Sequence, residues 1–122
     1  MTKIAIIEDD IAIVQMYLVK FQTEGFEVVT ANDGKAGLSL VESTKPDMVL
    51  LDLMMPEMRG DQMLEALRKT DWGKDMKVII LTNMGETEAP ASVKENNVLD
   101  FIVKADMTPK QVVDKVKEHL AT

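Results

Sequence analysis

Five short apolar runs, separated by stretches of helical period, constrain this chain more than any other feature. The runs fall at residues 4–7, 26–29, 48–51, 78–81 and 99–103. The first, third and fourth are apolar throughout, as strands covered on both faces require. Glu27 and Asp100 interrupt the other two, which therefore suit sheet edges. Between the runs, Ile11, Val14, Leu18 and Phe21 recur at helical spacing toward one face, with Gly25 placed to end that helix. Ala36, Leu40 and Val41 follow Asp33-Gly34; Met63, Leu64 and Leu67 follow Gly60; Val112, Val113, Val116 and Leu120 form the last helix. That last start is the best marked, with Thr108 as N-cap, Pro109 first inside and Gln111 three residues after the cap. A fourth helix over residues 89–96 is the thinnest, with Pro90 near its start and Asn97 able to take a left-handed cap. Strands alternating with helices predict an α/β, doubly wound (βα)5 unit with a five-stranded parallel sheet, as one domain over residues 1–122.

Composition removes several functions. There is no Cys, so no disulfide, thiolate metal site or cysteine nucleophile exists. His119 is the single histidine, which excludes an imidazole cluster. The net charge of −7 argues against direct nucleic-acid binding. No apolar run approaches the ~20 residues that span a bilayer. The opening Met1-Thr2-Lys3 leads into a run that meets acid at Glu8, unlike a secretory signal. The cytoplasm is the expected compartment.

In parallel sheets of this kind, chemistry gathers at the carboxyl ends of the strands, where the chain order reverses. Those ends here are Glu8-Asp9-Asp10, Asp52, Thr82 and Lys104. Converging carboxylates repel one another, and partial burial adds to the cost of ionising them. Lys104 offsets one unit, and the remainder asks for a divalent cation. Oxygen-only ligands point to a hard ion, best Mg2+, with Mn2+ able to substitute.

These residues resemble the response-regulator receiver domain of two-component signalling, in its single-domain, chemotaxis-regulator-like form. The likeness rests on Glu8-Asp9, on Asp52 within Leu50-Leu51-Asp52-Leu53-Met54-Met55-Pro56, and on Gly60, Thr82 and Lys104 after Phe101-Ile102-Val103. Thr82 lies 30 residues beyond Asp52, and Lys104 a further 22. The resemblance implies a flavodoxin-like three-layer sandwich. Asp52 is then the phosphoacceptor, Glu8, Asp9, Asp52 and the Met54 backbone carbonyl hold the metal, and Lys104 pairs with a phosphoryl oxygen. Thr82 is the switch hydroxyl and Phe101 the aromatic that turns inward after it. Asp10 is expected to cap the first helix.

Three positions depart from the family pattern. Ala105 replaces the usual Pro after the lysine, and the family geometry predicts a cis bond there despite a cost of ~2.5–4 kcal/mol. Asn83 replaces a smaller residue, narrowing access to Asp52 or adding a donor. Met54 and Met84 flank the acceptor with apolar bulk, which predicts a long-lived phosphorylated state. Ten methionines are unusual, and those at 54, 55, 58, 63 and 84 cluster near this edge, where gap-filling is the simpler reading than an adaptable partner surface.

The resemblance implies a phosphorylation-driven switch. A sensor histidine kinase, a phosphotransfer protein or a small phosphodonor modifies Asp52, and the face of the fourth helix, fifth strand and fifth helix then changes its affinity for a downstream protein. The chain is a stoichiometric acceptor rather than an enzyme, a monomer or a dimer on phosphorylation, and has no membrane partner. It reads as free-standing, with an excised receiver of a multidomain regulator and a phosphate-independent interaction module as the alternatives. Kinase specificity is expected around residues 11–20 and the loop after the fifth strand. FMN carriers are disfavoured because acids replace the phosphate loop. Asp-nucleophile phosphatases are disfavoured because Met54 stands where their second Asp belongs.

Overall fold

The computed structural model describes residues 1–121. Its strands are β1 (Lys3–Ile7), β2 (Glu27–Ala31), β3 (Met48–Leu51), β4 (Val78–Thr82) and β5 (Asp100–Val103). All neighbours pair in parallel, in the order β2-β1-β3-β4-β5. The two acid-interrupted runs are indeed the edges. The helices are α1 (Ile11–Thr23), α2 (Gly34–Thr44), α3 (Gly60–Arg68), α4 (Ala91–Glu95) and α5 (Pro109–Leu120).

Alternation within the strands sorts the core into two layers. Ile4, Ile6, Met48, Leu50, Ile79 and Leu81 pack on one face against Tyr17 and Phe21 of α1 and the valines of α5. Ala5, Ile7, Val49, Leu51, Val78 and Ile80 pack on the other against Val41, Met63, Leu64, Leu67 and Val93 from α2, α3 and α4. Each central strand therefore presents apolar side chains both ways, which is why its sequence shows no polar alternation.

Several expectations need correction. In α1 the inward residues are Ile13, Tyr17 and Phe21, whereas Ile11 is 73% exposed. The helix is apolar almost all round, so spacing alone picked a neighbouring face. In α2, Ala36 is exposed and the buried contacts come from Gly34, Gly37 and Val41. The run at 26–29 is shifted, with Phe26 buried before the strand. A 3-10 turn at Glu86–Glu88 takes up the chain before α4, whose regular part starts after Pro90. The peptide bonds of the described residues are all trans, Lys104–Ala105 included. Without the ring of Pro the ordinary isomer is retained, and Lys104–Asp106 closes a 3-10 turn instead.

The terminators act as anticipated. Gly25 has φ +92° beyond α1, and Asn97 stands at φ +65° beyond α4. Thr108 and Gln111 form a reciprocal capping box on α5.

Candidate functional site

Strand order reverses between β1 and β3, and the register brings their ends level, with Ile7 opposite Leu51. The next residue on each is an acid. The Asp52 N–H donates to the Ile7 carbonyl at 3.0 Å, and the Glu8 N–H donates to the Ala31 carbonyl at 3.0 Å. Both backbones are thus held in the sheet as the side chains leave it. Gly60 closes the floor: a Cβ there would collide with the Asp52 carbonyl, so only glycine lets α3 begin this close to β3.

Glu8, Asp9 and Asp52 each offer an oxygen, and these oxygens lie within 4.8 Å of one another. Glu8 and Asp52 are buried, while Asp9 is exposed. Carboxylate charges ~4 Å apart repel by about 4 kcal/mol at an effective dielectric of ~20. Lys104 opposes that repulsion, its ammonium forming an ion pair with Glu8 Oε1 and lying 3.5 Å from Asp52 Oδ2. Burial pushes the Glu8 carboxyl up to about 7, with the Asp52 charge adding to the rise and the Lys104 and Asp10 hydrogen bonds opposing it. A three-carboxylate, all-oxygen set of this kind fits a hard divalent cation.

Backbone amides complete the rim. The Met54 N–H donates to Asp52 Oδ1 at 3.2 Å, and the Asp10 N–H to Glu8 Oε2 at 3.1 Å. Asp10 itself caps α1, accepting from the Ile13 N–H at 3.2 Å. Thr82, fully buried at the end of β4, accepts from the Met84 N–H through Oγ1 at 3.4 Å. Asn83 is exposed between them. Phe101 is not on the rim: it lies opposite Ile80, half-buried against the α2–α4 layer, beside a small hollow with Pro90 and Val93.

A hollow of about 520 Å3 opens beside the acids, walled by Asp9, Met54, Met55, Pro56, Met84 and Arg59. Asp61, which sequence reading passed over, is buried here and takes Arg59 Nε at 3.1 Å. A larger hollow of about 730 Å3 between α1 and α2 meets the rim only through Glu8, and its polar lining of Gln15, Ser39 and Ser43 brings no charge to bear.

Residues 4–117 match the family model described as the response regulator receiver domain. The chain belongs to the response-regulator receiver family. It is similar to a CheY-like receiver domain protein from Methanospirillum hungatei, with 28% identity, a TM-score of 0.90, and coverage of 99% of this chain and 94% of that one. It is likewise similar to the chemotaxis protein CheY4 of Vibrio cholerae, at 27% identity and a TM-score of 0.88, covering 97% and 98%. Among curated proteins, the DNA-binding response regulator MtrA of Mycolicibacterium paratuberculosis is 32% identical over 118 residues, 97% of this chain and 51% of that protein. The receiver thus spans about half the length of the curated relatives it matches. Among its described residues, no helix is long and apolar enough to cross a membrane.

Proposed function

We propose that this receiver is a cytoplasmic signalling switch that takes a phosphoryl group onto Asp52 from a histidine kinase, a phosphotransfer protein or a small acyl phosphate. The observation that carries the reading is the convergence of Glu8, Asp9 and Lys104 on Asp52, the buried carboxylate that follows β3. Glu8, Asp9, Asp52 and the Met54 carbonyl would hold Mg2+, or Mn2+ in its place. When bound, the ion supplies charge neutralisation between the acids and the incoming phosphoryl oxygens.

The Met54 N–H fixes the Asp52 carboxylate, removing rotational freedom from the nucleophile. One Asp52 oxygen attacks phosphorus, an O–P bond forms, and the bond to the donor's imidazole or carboxylate breaks with its electrons going to that leaving group. Lys104 then exchanges Glu8 for a phosphoryl oxygen. Thr82 has its hydroxyl proton to donate to another, which draws residues 83–90 toward Asp52. Phe101 follows into the space vacated, and the face of α4, β5 and α5 changes what it binds. α4 has only five residues, as suits an element that must move. The chain is consumed stoichiometrically, so it is a switch rather than an enzyme.

Intact-mass measurement after incubation with acetyl phosphate and Mg2+ tests this. The expected result is one phosphoryl adduct on the wild type, absent without Mg2+ and absent in Asp52→Asn. No adduct on the wild type under any of these conditions would favour a phosphate-independent interaction module.

A further inference from the structure

The chain holds ten methionines and no cysteine, so thioethers are its only oxidisable sulfur. Their burial is uneven. Met48 and Met63 are fully enclosed and Met55 nearly so, while Met54 is 58% exposed; among the described residues only Met1, ahead of β1, is a more accessible methionine. Met54 is also the residue whose N–H holds Asp52. Its side chain shares the wall of the rim hollow with Met84, which is half-buried. The most accessible internal thioether therefore stands two residues from the acceptor carboxylate, as part of its apolar screen.

We propose that Met54 is a reversible oxidation site through which peroxide shortens the phosphorylated state of Asp52. This rests on the phosphoacceptor reading above. In the step itself the sulfur lone pair attacks one peroxide oxygen, an S–O bond forms and the O–O bond breaks. The departing oxygen takes up the proton and leaves as water, so the thioether loses two electrons and the peroxide gains them. The product carries a strongly accepting oxygen where an apolar group stood. A thioether offers an in-line water almost no hydrogen bond, whereas a sulfoxide holds one. The backbone N–H and carbonyl of residue 54 are untouched, so the hold on Asp52 is unchanged and the effect falls on water access. Methionine sulfoxide reductases return the thioether, which makes the change reversible.

The test combines peptide mapping with a decay measurement on the full chain. Wild type, Met54→Leu and Met16→Leu are each treated with hydrogen peroxide, phosphorylated with acetyl phosphate and Mg2+, freed of donor, and followed by intact mass. Each protein is compared with its own untreated sample. Met54 should be oxidised ahead of Met48, Met55 and Met63, and the oxidised wild type should lose its phosphoryl group several-fold faster. The acceleration should persist in Met16→Leu, vanish in Met54→Leu, and reverse on treatment with sulfoxide reductase. Protection of Met54 at a dose that oxidises Met16, unchanged decay after Met54 oxidation, or acceleration that survives Met54→Leu would each overturn the inference alone. A wild type that takes no phosphoryl group before oxidation overturns the phosphoacceptor reading and this inference with it.

Discussion

Glu8 bears the conflict of the rim in one side chain: enclosed like a core residue, it lies between the Asp52 carboxylate and the Lys104 ammonium. Its raised carboxyl pKa means that the folded state binds a proton more tightly than the unfolded chain does. Its contribution to stability is therefore complete below about pH 4.5 and is lost as pH rises through about 7. In metal-free buffer, thermal melts from pH 5 to 8 should show this decline, and Glu8→Gln should flatten it; an unchanged slope would refute the assignment. Met54→Asn or Met84→Glu places a hydrogen-bonding group beside Asp52, and either should shorten the phosphorylated lifetime several-fold in decay measurements. Gly60 answers to sterics alone. Gly60→Ala should cost ~1–3 kcal/mol in denaturant unfolding, as overpacking does, and should reduce uptake of phosphoryl by shifting β3.

α4 is tethered at its far end by one side chain of α3. Arg68, at the end of α3, donates to the carbonyls of Gly73 and Met76 at 2.8 and 2.7 Å, and to those of Asn96 and Asn97 at 2.8 and 3.0 Å. Burial pushes its guanidinium below the usual arginine range, with the Asp75 charge opposing. The far end of α4 is thus pinned while its Pro90 end faces the rim hollow. Arg68→Ala should cost ~1.5–3 kcal/mol, the scale of hydrogen bonds to charged groups, and speed amide exchange over residues 91–97 before that of the strands. Uniform exchange across the chain would contradict the tether. This bond set was invisible in the sequence, since an Arg closing an amphipathic helix looks like surface. So was the inward face of α1, because Ile11, Ile13 and Val14 read alike until β2 and α5 are in place. The central strands and α5 were legible, because uninterrupted apolar runs and a capping box admit few alternatives.

Over a molecule of net charge −7, the rim is where three acids crowd around one ammonium. The acids, Thr82 and Lys104 were legible because each ends an apolar run; Asp61 and the close approach of Gly60 were not, since both depend on α3 folding back over β3. Phe101, expected as the aromatic that turns inward after Thr82, stands half-buried opposite Ile80, and the Lys104–Ala105 bond took the ordinary isomer. Concentrated charge predicts a metal-linked stability. Mg2+ should raise the melting temperature of the wild type, while Asp9→Asn should melt higher than wild type without metal and gain less when Mg2+ is added. A larger gain in Asp9→Asn would remove Asp9 from the cation's shell.

In the function proposed above, Asp52 alone of three neighbouring carboxylates receives the phosphoryl group. Borohydride reduction of the acetyl phosphate-treated protein converts an aspartyl phosphate to homoserine, which peptide mass spectrometry then locates. Homoserine is expected at position 52 and nowhere else on the rim. Reduction at Glu8 or Asp9 with Asp52 intact would place the acceptor elsewhere and refute the assignment.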